Sequence, residues 1–241
     1  MKRFIGRPFC DPKVPQAIEH LSYAIEKDDQ ERPVIVVPQG GRFYPEQISA
    51  LVLEEMRRIA ELHTGGRPID KAVVTVPAYF TSSQKKATED ACAIAGLKCL
   101  RIINEPTAAA LAYSEQIDLL EADQKMILVF DFGGGTLDVT IISVDEGTIQ
   151  VAATRGDPYL GGRDIDCAIV KHCIEQFNRD NRNVKLKGGV VMKKLQKLAE
   201  QAKITLSKQD VARIQAENIM DATDLDVTMT KADFEQVIDS I

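Results

Sequence analysis

The sequence predicts an α/β fold in which strands alternate with helices, and two observations support this prediction. A strand, a helix and a second strand follow one another over residues 71–103, which is the spacing of a parallel βαβ unit. Three β-branched segments then follow over residues 126–155 with short turns between them, which is the pattern of an antiparallel meander.

The first 44 residues are interpreted as loops and short strands. Residues 33–38 are strand-like, and residues 39–42 form a turn. Pro45 predicts the start of a helix, because proline is favoured in the first helical turn, and the Gly65-Gly66 pair predicts its end. One face of this helix is marked by Ile48, Leu51, Val52, Met56 and Ile59.

Residues 71–77 predict a continuous apolar strand, and residues 97–103 a second strand parallel to it. The helix between them is capped by Thr81 or Ser82 and ends at Gly96. Glu105 follows the second strand, and ligands of open α/β sheets bind at the carboxyl ends of strands. Thr107 is expected to cap an alanine-rich helix over residues 108–113.

The acidic and polar residues 114–125 predict a domain boundary. Beyond the meander, Gly156-Asp157 and Gly161-Gly162 are expected to break the strand pattern. The remaining predicted elements are a turn at 145–147, helices near 164–179 and 190–207, a turn at 185–189, strands at 211–219 and 225–229, and a last helix opened by a capping box of Thr230 and Asp233.

The most informative run is residues 128–138, where Asp131 ends a strand and three glycines, Thr136 and Asp138 follow. Glycines let the backbone approach a ligand, consecutive N–H groups bind anions, and the two carboxylates are oxygen ligands of the kind Mg²⁺ prefers, usually through water. A strand, not a helix, follows the glycines, and no Lys-Ser/Thr pair is present, so the loop is a hairpin tip and not a P-loop. An ordinary glycine-rich hairpin is the alternative.

Composition bounds the classes of function. A length of 241 residues suits one large domain or two smaller ones, and contents of 44% hydrophobic and 27% charged residues are ordinary for a globular protein. The net charge of −6 favours neither nucleic-acid nor membrane-surface binding. Five cysteines without a C-x-x-C spacing predict neither a disulfide framework nor a zinc site, and they suit a reduced, cytoplasmic compartment. We expect no signal peptide and no membrane helix.

Six segments together resemble the nucleotide-binding (ATPase) domain of the seventy-kilodalton heat-shock chaperones. They are residues 2–7 (KRFIGR), 73–80 (VVTVPAYF), 101–110 (RIINEPTAAA), 131–138 (DFGGGTLD), 160–162 (LGG) and 200–207 (EQAKITLS). The resemblance implies an actin-like ATPase (ribonuclease-H-like) fold of two lobes, truncated at both ends. Residues 1–120 would form most of the first lobe (1–46 the outer part, 47–120 the base). Residues 121–241 would form part of the second (121–160 the base, 161–239 the outer part).

The resemblance also implies site roles. Lys2 would contact the γ-phosphate of ATP and orient the attacking water, Glu105 would reach toward the magnesium–water shell, and Pro106 matches a proline proposed to switch with nucleotide state. Asp131 and Asp138 would hold a magnesium water and the attacking water, so they are the metal candidates. The phosphate loop would be Gly133, Gly134, Gly135 and Thr136, and Thr136 joins Lys2, Glu105, Asp131 and Asp138 as a catalytic candidate.

Glu200, Lys203 and Ser207 match residues that contact the ribose and base of ATP or ADP, and their i, i+3, i+7 spacing puts them on one helix stripe. Simpler interpretations remain for several candidates. Lys2 could be a solvated terminal residue, Glu105 an acid favoured by the helix dipole, and Pro106 a helix-starting proline. Glu200 and Lys203 could be a solvated ion pair.

The expected function is that of an ATP-binding and ATP-hydrolysing module of a protein-folding, stress-response chaperone. The family's first phosphate loop, second adenosine segment and peptide-binding domain are not found in this sequence, so ATPase activity of the chain alone is an open expectation. Its expected partners are nucleotide, J-domain proteins and nucleotide-exchange factors, whereas unfolded clients would need the peptide-binding domain. The alternatives are a non-catalytic fragment that docks co-chaperones, or an incomplete gene product. A sugar or acetate kinase is a third class, but such kinases lack the combined motifs.

Overall fold

A computed structural model describes residues 1–18, 21, 23–38, 40–114, 125–145, 148–181, 184–239 and 241. Over these residues the chain has a mixed α/β fold of seven helices and ten strands. It divides into two compact units, of which the first comprises residues 1–132 and 136–159 and the second residues 133–135 and 160–241. None of the helices in the described ranges is both long and apolar enough to cross a membrane.

The first unit begins with a short helix and a three-stranded antiparallel sheet. These elements are α1 (Lys13–Ile18), β1 (Ala24–Lys27), β2 (Pro33–Val36) and β3 (Arg42–Phe43), and the strand order is β1-β2-β3. The strand predicted at 33–38 is confirmed over residues 33–36. Helix α1 was not predicted, since six residues are too few to show a helical period. Val14 of α1 is fully buried and packs with Phe4 and Ile25.

The predicted βαβ unit is confirmed. After α2 (Pro45–His63) come β4 (Lys71–Val76), α3 (Ser82–Ile94) and β5 (Lys98–Asn104), and β4 pairs with β5 in parallel. Thr81 is the N-cap of α3, and its hydroxyl oxygen accepts a hydrogen bond from the backbone N–H of Gln84 at 3.3 Å. The apolar face of α2 is mostly exposed, including Val52 and Met56. Ala50 is buried in a core cluster, and Leu53 and Ile48 pack against core clusters as partly buried residues.

Two details of the sequence prediction were wrong. Helix α4 (Glu105–Ser114) begins at Glu105, so Thr107 lies inside the first turn and does not cap it. Glu105 and Pro106 start the helix instead, because an acid and a proline both suit a first turn. Strand β8 (Thr148–Asp157) continues through Gly156, where a Cβ would lie 2.3 Å from the Leu137 carbonyl oxygen, so glycine lets this strand continue and does not break it.

The meander is confirmed as an antiparallel sheet of β6 (Lys125–Phe132), β7 (Leu137–Asp145) and β8 in that order. Its inner face, with Ile142 and Val144, packs against Ala110 of α4. Its other face is exposed and includes Met126, Leu128, Phe130 and Phe132. Residues 115–124 of the predicted domain boundary, and residues 146 and 147 of the predicted turn, lie outside the described residues.

The second unit packs three helices against a two-stranded sheet. Its elements are α5 (Gly162–Asp180), α6 (Gly189–Leu206), β9 (Val211–Met220), β10 (Thr223–Thr230) and α7 (Lys231–Ile238). Alternate residues of both strands, such as Ile214 and Val227, are buried against α5 and α6. The predicted capping box is confirmed, since the Thr230 hydroxyl accepts a hydrogen bond from the Asp233 N–H at 3.1 Å.

Candidate functional site

Asp138 is the most unusual titratable residue of the first unit. It is 0% exposed because β7 alternates and puts Asp138, Thr140 and Ile142 on its inner face. Neither carboxylate oxygen has a hydrogen-bond partner within the described chain. Burial is the main cause that raises the pKa of Asp138 to about 6, and the negative charges of Glu105 and Asp131 raise it further.

Two groups act on the pKa of Asp138 in the opposite direction. The positive charge of Lys2 lowers it, and so does the backbone N–H of Ala78, which lies nearby but outside hydrogen-bond geometry. A buried carboxylate that keeps two unpaired oxygens is uncommon, because such groups are normally hydrogen-bonded or bound to a cation.

Asp131 is directly opposite Asp138 in the register of β6 and β7. Directly opposed side chains of an antiparallel pair share a face, and like charges there destabilise the sheet. This donor set fits Mg²⁺, which prefers carboxylate oxygens and keeps several of its waters. In the parts of the chain that are described, no three His, Cys, Asp or Glu side chains converge as a metal cluster, so water would have to complete the coordination.

Lys2 and Glu105 form an ion pair, with 2.5 Å between the Lys2 Nζ and the Glu105 Oε1. The end of β5 places Glu105 at the first position of α4. The sequence predicted that Glu105 follows the strand, but not that it begins the helix. The Lys2 side chain is 52% exposed and that of Glu105 15%. Because both residues act on the pKa of Asp138, the structure brings Lys2, Glu105, Asp131 and Asp138 into one electrostatic group.

Thr136 is buried beside the same group and near a residue that the sequence analysis gave no role. This residue is Tyr79, whose hydroxyl lies close enough to Thr136 for Thr136 to lower its pKa. Burial dominates and raises that pKa, and the hydroxyl has no partner of hydrogen-bond geometry among the described residues. Tyr79 belongs to the run 73–80 that carried the family resemblance, and this was the only signal that could have found it.

The three glycines of the loop, residues 133–135, belong to the second unit and are bonded to the start of α5. The carbonyl oxygen of Gly133 accepts a hydrogen bond from the Gly162 N–H at 3.0 Å, and that of Gly134 accepts one from the Arg163 N–H at 2.9 Å. Gly161 allows this approach, because a Cβ there would lie only 2.4 Å from the Gly135 nitrogen. The Gly161-Gly162 pair therefore holds the loop against α5.

The predicted adenosine-binding stripe lies on α6, with Glu200 and Lys203 in the helix and Ser207 at its C-cap. Lys203 does not pair with Glu200. Its Nζ lies 2.7 Å from Asp166 Oδ1 of α5 and donates a hydrogen bond to the Gly162 carbonyl at 3.2 Å. Burial raises the pKa of Asp166, and Lys203 opposes this rise.

The contact between Asp166 and Lys203 is an ion pair. The sequence analysis missed Asp166, although it lies just after the Gly161-Gly162 pair. The Ser207 hydroxyl donates to the Ile204 carbonyl oxygen at 2.7 Å. Its hydrogen bond is therefore local to the end of α6.

Glu200 lines a cleft of about 360 Å³ in the second unit, together with Arg163, Asp166, Cys167, Gln196 and Lys197. A larger cleft of about 540 Å³ in the first unit, lined by residues such as Arg7, Arg32 and Tyr44, contains none of the predicted site residues. The size of a cleft therefore does not indicate the candidate site, whereas the buried carboxylate of Asp138 does.

Comparison with known proteins identifies the family. The family model described as "Hsp70 protein" matches residues 1–241. The "Heat shock 70 kDa protein" of Neurospora crassa is 41% identical over 239 residues, which cover 98% of this chain and 36% of that protein. The "Heat shock 70 kDa protein 2" of Paracoccidioides lutzii gives the same identity and coverage. The chain thus spans about a third of the length of these relatives, and it belongs to the Hsp70 protein family.

Proposed function

We propose that this chain is a magnesium-dependent ATP-binding and ATP-hydrolysing module of a protein-folding chaperone. The observation that supports this best is Asp138, a fully buried carboxylate with two unpartnered oxygens and a second carboxylate, Asp131, directly opposite. Family membership supports the actin-like fold of two lobes, over residues 1–120 and 121–241, which is part of the same proposal.

In the first unit, Asp131 and Asp138 are the residues that would hold Mg²⁺ through water. The bound ion would neutralise phosphate charge, as is usual in phosphoryl transfer. With its pKa near 6, Asp138 is mostly ionised at neutral pH, and it is poised to accept a proton from an attacking water. The ion pair with Glu105 orients Lys2, whose exposed ammonium can contact a phosphate.

In the second unit, the backbone of Gly133, Gly134 and Gly135 is the proposed phosphate loop, with Thr136 next to it in the chain. Hydrogen bonds from α5 fix this loop, and a preorganised loop binds an anion with a smaller loss of conformational entropy. Glu200, Lys203 and Ser207 are the proposed contacts to adenosine. For Lys203 to reach a ribose, it would have to exchange its hydrogen bond to the Gly162 carbonyl for one to the ligand.

The remaining parts of the proposal concern the whole protein. Client proteins would bind through a peptide-binding domain, and J-domain proteins and nucleotide-exchange factors would act on the nucleotide module in the cytoplasm. The chain spans only 36% of the relatives' length. Family membership is therefore the only support for these partners.

The test is calorimetric titration of ATP into the purified chain with magnesium and, separately, with EDTA. We expect magnesium-dependent binding that falls at least about tenfold in Asp138→Asn, because loss of one charged ligand removes 1.4 kcal/mol or more of binding free energy. Asp145→Asn is the matched control, since Asp145 is an exposed aspartate of the same strand.

A chain that melts cooperatively but shows no binding at millimolar ATP would refute the proposed function. That result would favour the alternative of a non-catalytic module that docks other chaperone components. Steady-state phosphate release then separates binding from hydrolysis, because a chain that binds but does not turn over supports only the first half of the proposal.

A further inference from the structure

Cys92 and Cys99 lie side by side in the first unit although they belong to different elements. Cys92 is on α3 and is fully buried, whereas Cys99 is on β5 and is partly exposed. Both belong to one apolar cluster, whose other members include Ala50, Leu97 and Ala72. The tight turn at Gly96 brings the end of α3 and the start of β5 together, since Gly96 has a φ of +71°.

Cys99 lies opposite Ala72 in β4, and a β-bulge directly follows it in β5. In the register of the parallel pair, Ala72 is opposite Cys99 and the next residue, Val73, is opposite Arg101, so Leu100 has no partner. A bulge of one residue shifts the alternation of a strand and re-aims its side chains. Leu100 and Val73 are exposed, whereas Cys99 follows Ala72 into the cluster.

The two cysteine side chains are close enough in the reduced chain for Cys99 to influence Cys92. Burial is the main cause that raises the pKa of Cys92 to about 11, and the charge of the neighbouring Cys99 side chain raises it further. The shared apolar cluster therefore holds the two thiols near each other. Cys99 donates to the Arg101 carbonyl, with 3.6 Å between Sγ and oxygen.

We propose that Cys92 and Cys99 are a peroxide-sensitive pair that closes into a reversible disulfide. Cys99 is the partly exposed member, so hydrogen peroxide reaches it first. The Cys99 thiolate sulfur attacks one peroxide oxygen and the O–O bond breaks. The sulfur is thereby oxidised to a sulfenic acid, and the other oxygen leaves as hydroxide, which is protonated to water.

The second step consumes the sulfenic acid. The Cys92 sulfur attacks the Cys99 sulfur, the S–O bond breaks, and the S–S bond forms. The departing hydroxide takes the proton of Cys92 and leaves as a second water. The two thiols together lose two electrons and two protons to one peroxide, and a dithiol reductant reverses the reaction.

The other three cysteines have different surroundings. Cys10 is exposed, and Cys173 is buried in the cluster of the second unit, where burial raises its pKa to about 12. Cys167 is partly exposed and lines the cleft beside Glu200. None of the apolar clusters formed by the described residues contains a second pair of cysteines.

The sequence allows a direct test by peptide mapping. Trypsin cleaves after Lys86, Lys98 and Arg101, so Cys92 lies in peptide 87–98 and Cys99 in peptide 99–101. The native chain is treated with hydrogen peroxide, its remaining thiols are alkylated, and it is digested without reduction. We expect a linked species of these two peptides that is lighter by two hydrogens, a fall from five free thiols to three, and recovery of all five with dithiothreitol.

Controls separate geometry from sequence proximity. Cys99→Ala should abolish the linked species, and Cys10→Ala, the matched change at an exposed cysteine, should leave its yield unchanged. The same oxidation in concentrated urea should form the linked species more slowly than in the folded chain. Equal rates in urea, sulfinic acid at Cys99 without a link to Cys92, or links that involve other cysteines would each overturn the proposal.

Discussion

Replacing Asp138 with asparagine should stabilise the fold at neutral pH while it weakens magnesium-dependent ATP binding. The side chain keeps its shape but loses a charge that is fully buried, unpartnered and close to two other carboxylates. Most substitutions at a functional carboxylate harm either binding alone or binding and folding together. Opposite signs for stability and binding are therefore a specific signature of a charge retained for ligand binding.

The size of the expected gain in stability follows from the raised pKa of Asp138. A rise from 3.8 to about 6 means that ionised Asp138 destabilises the folded state by at most about 3 kcal/mol, at about 1.4 kcal/mol for each pKa unit. The native state binds the proton more tightly than the unfolded state, so this destabilisation appears as pH rises from about 4 to about 6. It should be about 0.5 kcal/mol at pH 4 and fully developed at pH 8.

The assay is urea unfolding of the wild type and Asp138→Asn at pH 4 and pH 8, with the difference in unfolding free energy compared between the two. In thermal melts, each kcal/mol of added stability should raise Tm by about 2–4 °C for a domain of this size. Asp145→Asn, at an exposed position of the same strand, should change neither value. A variant less stable than the wild type at pH 8, or a difference that does not vary with pH, would refute the reasoning.

Three further changes test neighbouring parts of the structure. Lys2→Met should raise the pKa of Asp138 above about 6, because it removes the positive charge that lowers this pKa. Carbon-detected NMR titration of the Asp138 carboxyl measures the pKa, and an unchanged value would show that Lys2 does not act on Asp138. Gly161→Ala should destabilise the second unit by about 1–3 kcal/mol in urea unfolding, because its Cβ would meet the Gly135 nitrogen, whereas Gly134→Ala, with open space at its Cβ, should have a much smaller effect. Thr230→Ala should cost about 1 kcal/mol of stability through loss of the cap of α7, and a loss below about 0.3 kcal/mol in the same assay would show that the cap is dispensable.

Several helix starts and the glycine hairpin could be predicted, because neighbouring residues in the sequence are enough to specify them. Pro45, Thr81 and Thr230 set helix starts through turn and cap chemistry that any helix needs, and the structure has helices starting at or just after each. The hairpin around Asp131 and Asp138 was also predictable, because a β-branched segment follows its glycines. The start of α4 was not, since Glu105, Pro106 and Thr107 all suit a first turn and the end of β5 decides among them.

The sequence could nominate the residues of the candidate site, but it could not predict how their side chains are bonded and buried. Motif matching nominated Lys203 but could not show its ion pair with Asp166 or its hydrogen bond to the Gly162 carbonyl, because these partners are distant in sequence. Burial of Asp138 was equally hidden. Leu137, Val139 and Ile141 share one side of β7 in the sequence pattern, yet the structure buries the other side, with Asp138 and Thr140. Packing of α4 against the sheet decides this, and no local pattern reports it.

The hydrogen bonds between the glycine loop and α5 couple the position of the loop to the start of that helix. Gly133 and Gly134 are tied to the first two residues of α5, and the carbonyl of the first of these, Gly162, also holds Lys203 of α6. A ligand that displaces the loop would therefore pull on the start of α5 and loosen Lys203. Binding at the proposed phosphate loop would therefore change the surroundings of α6 without any contact between the ligand and that helix, and a spectroscopic label on the exposed Lys197 would report the change.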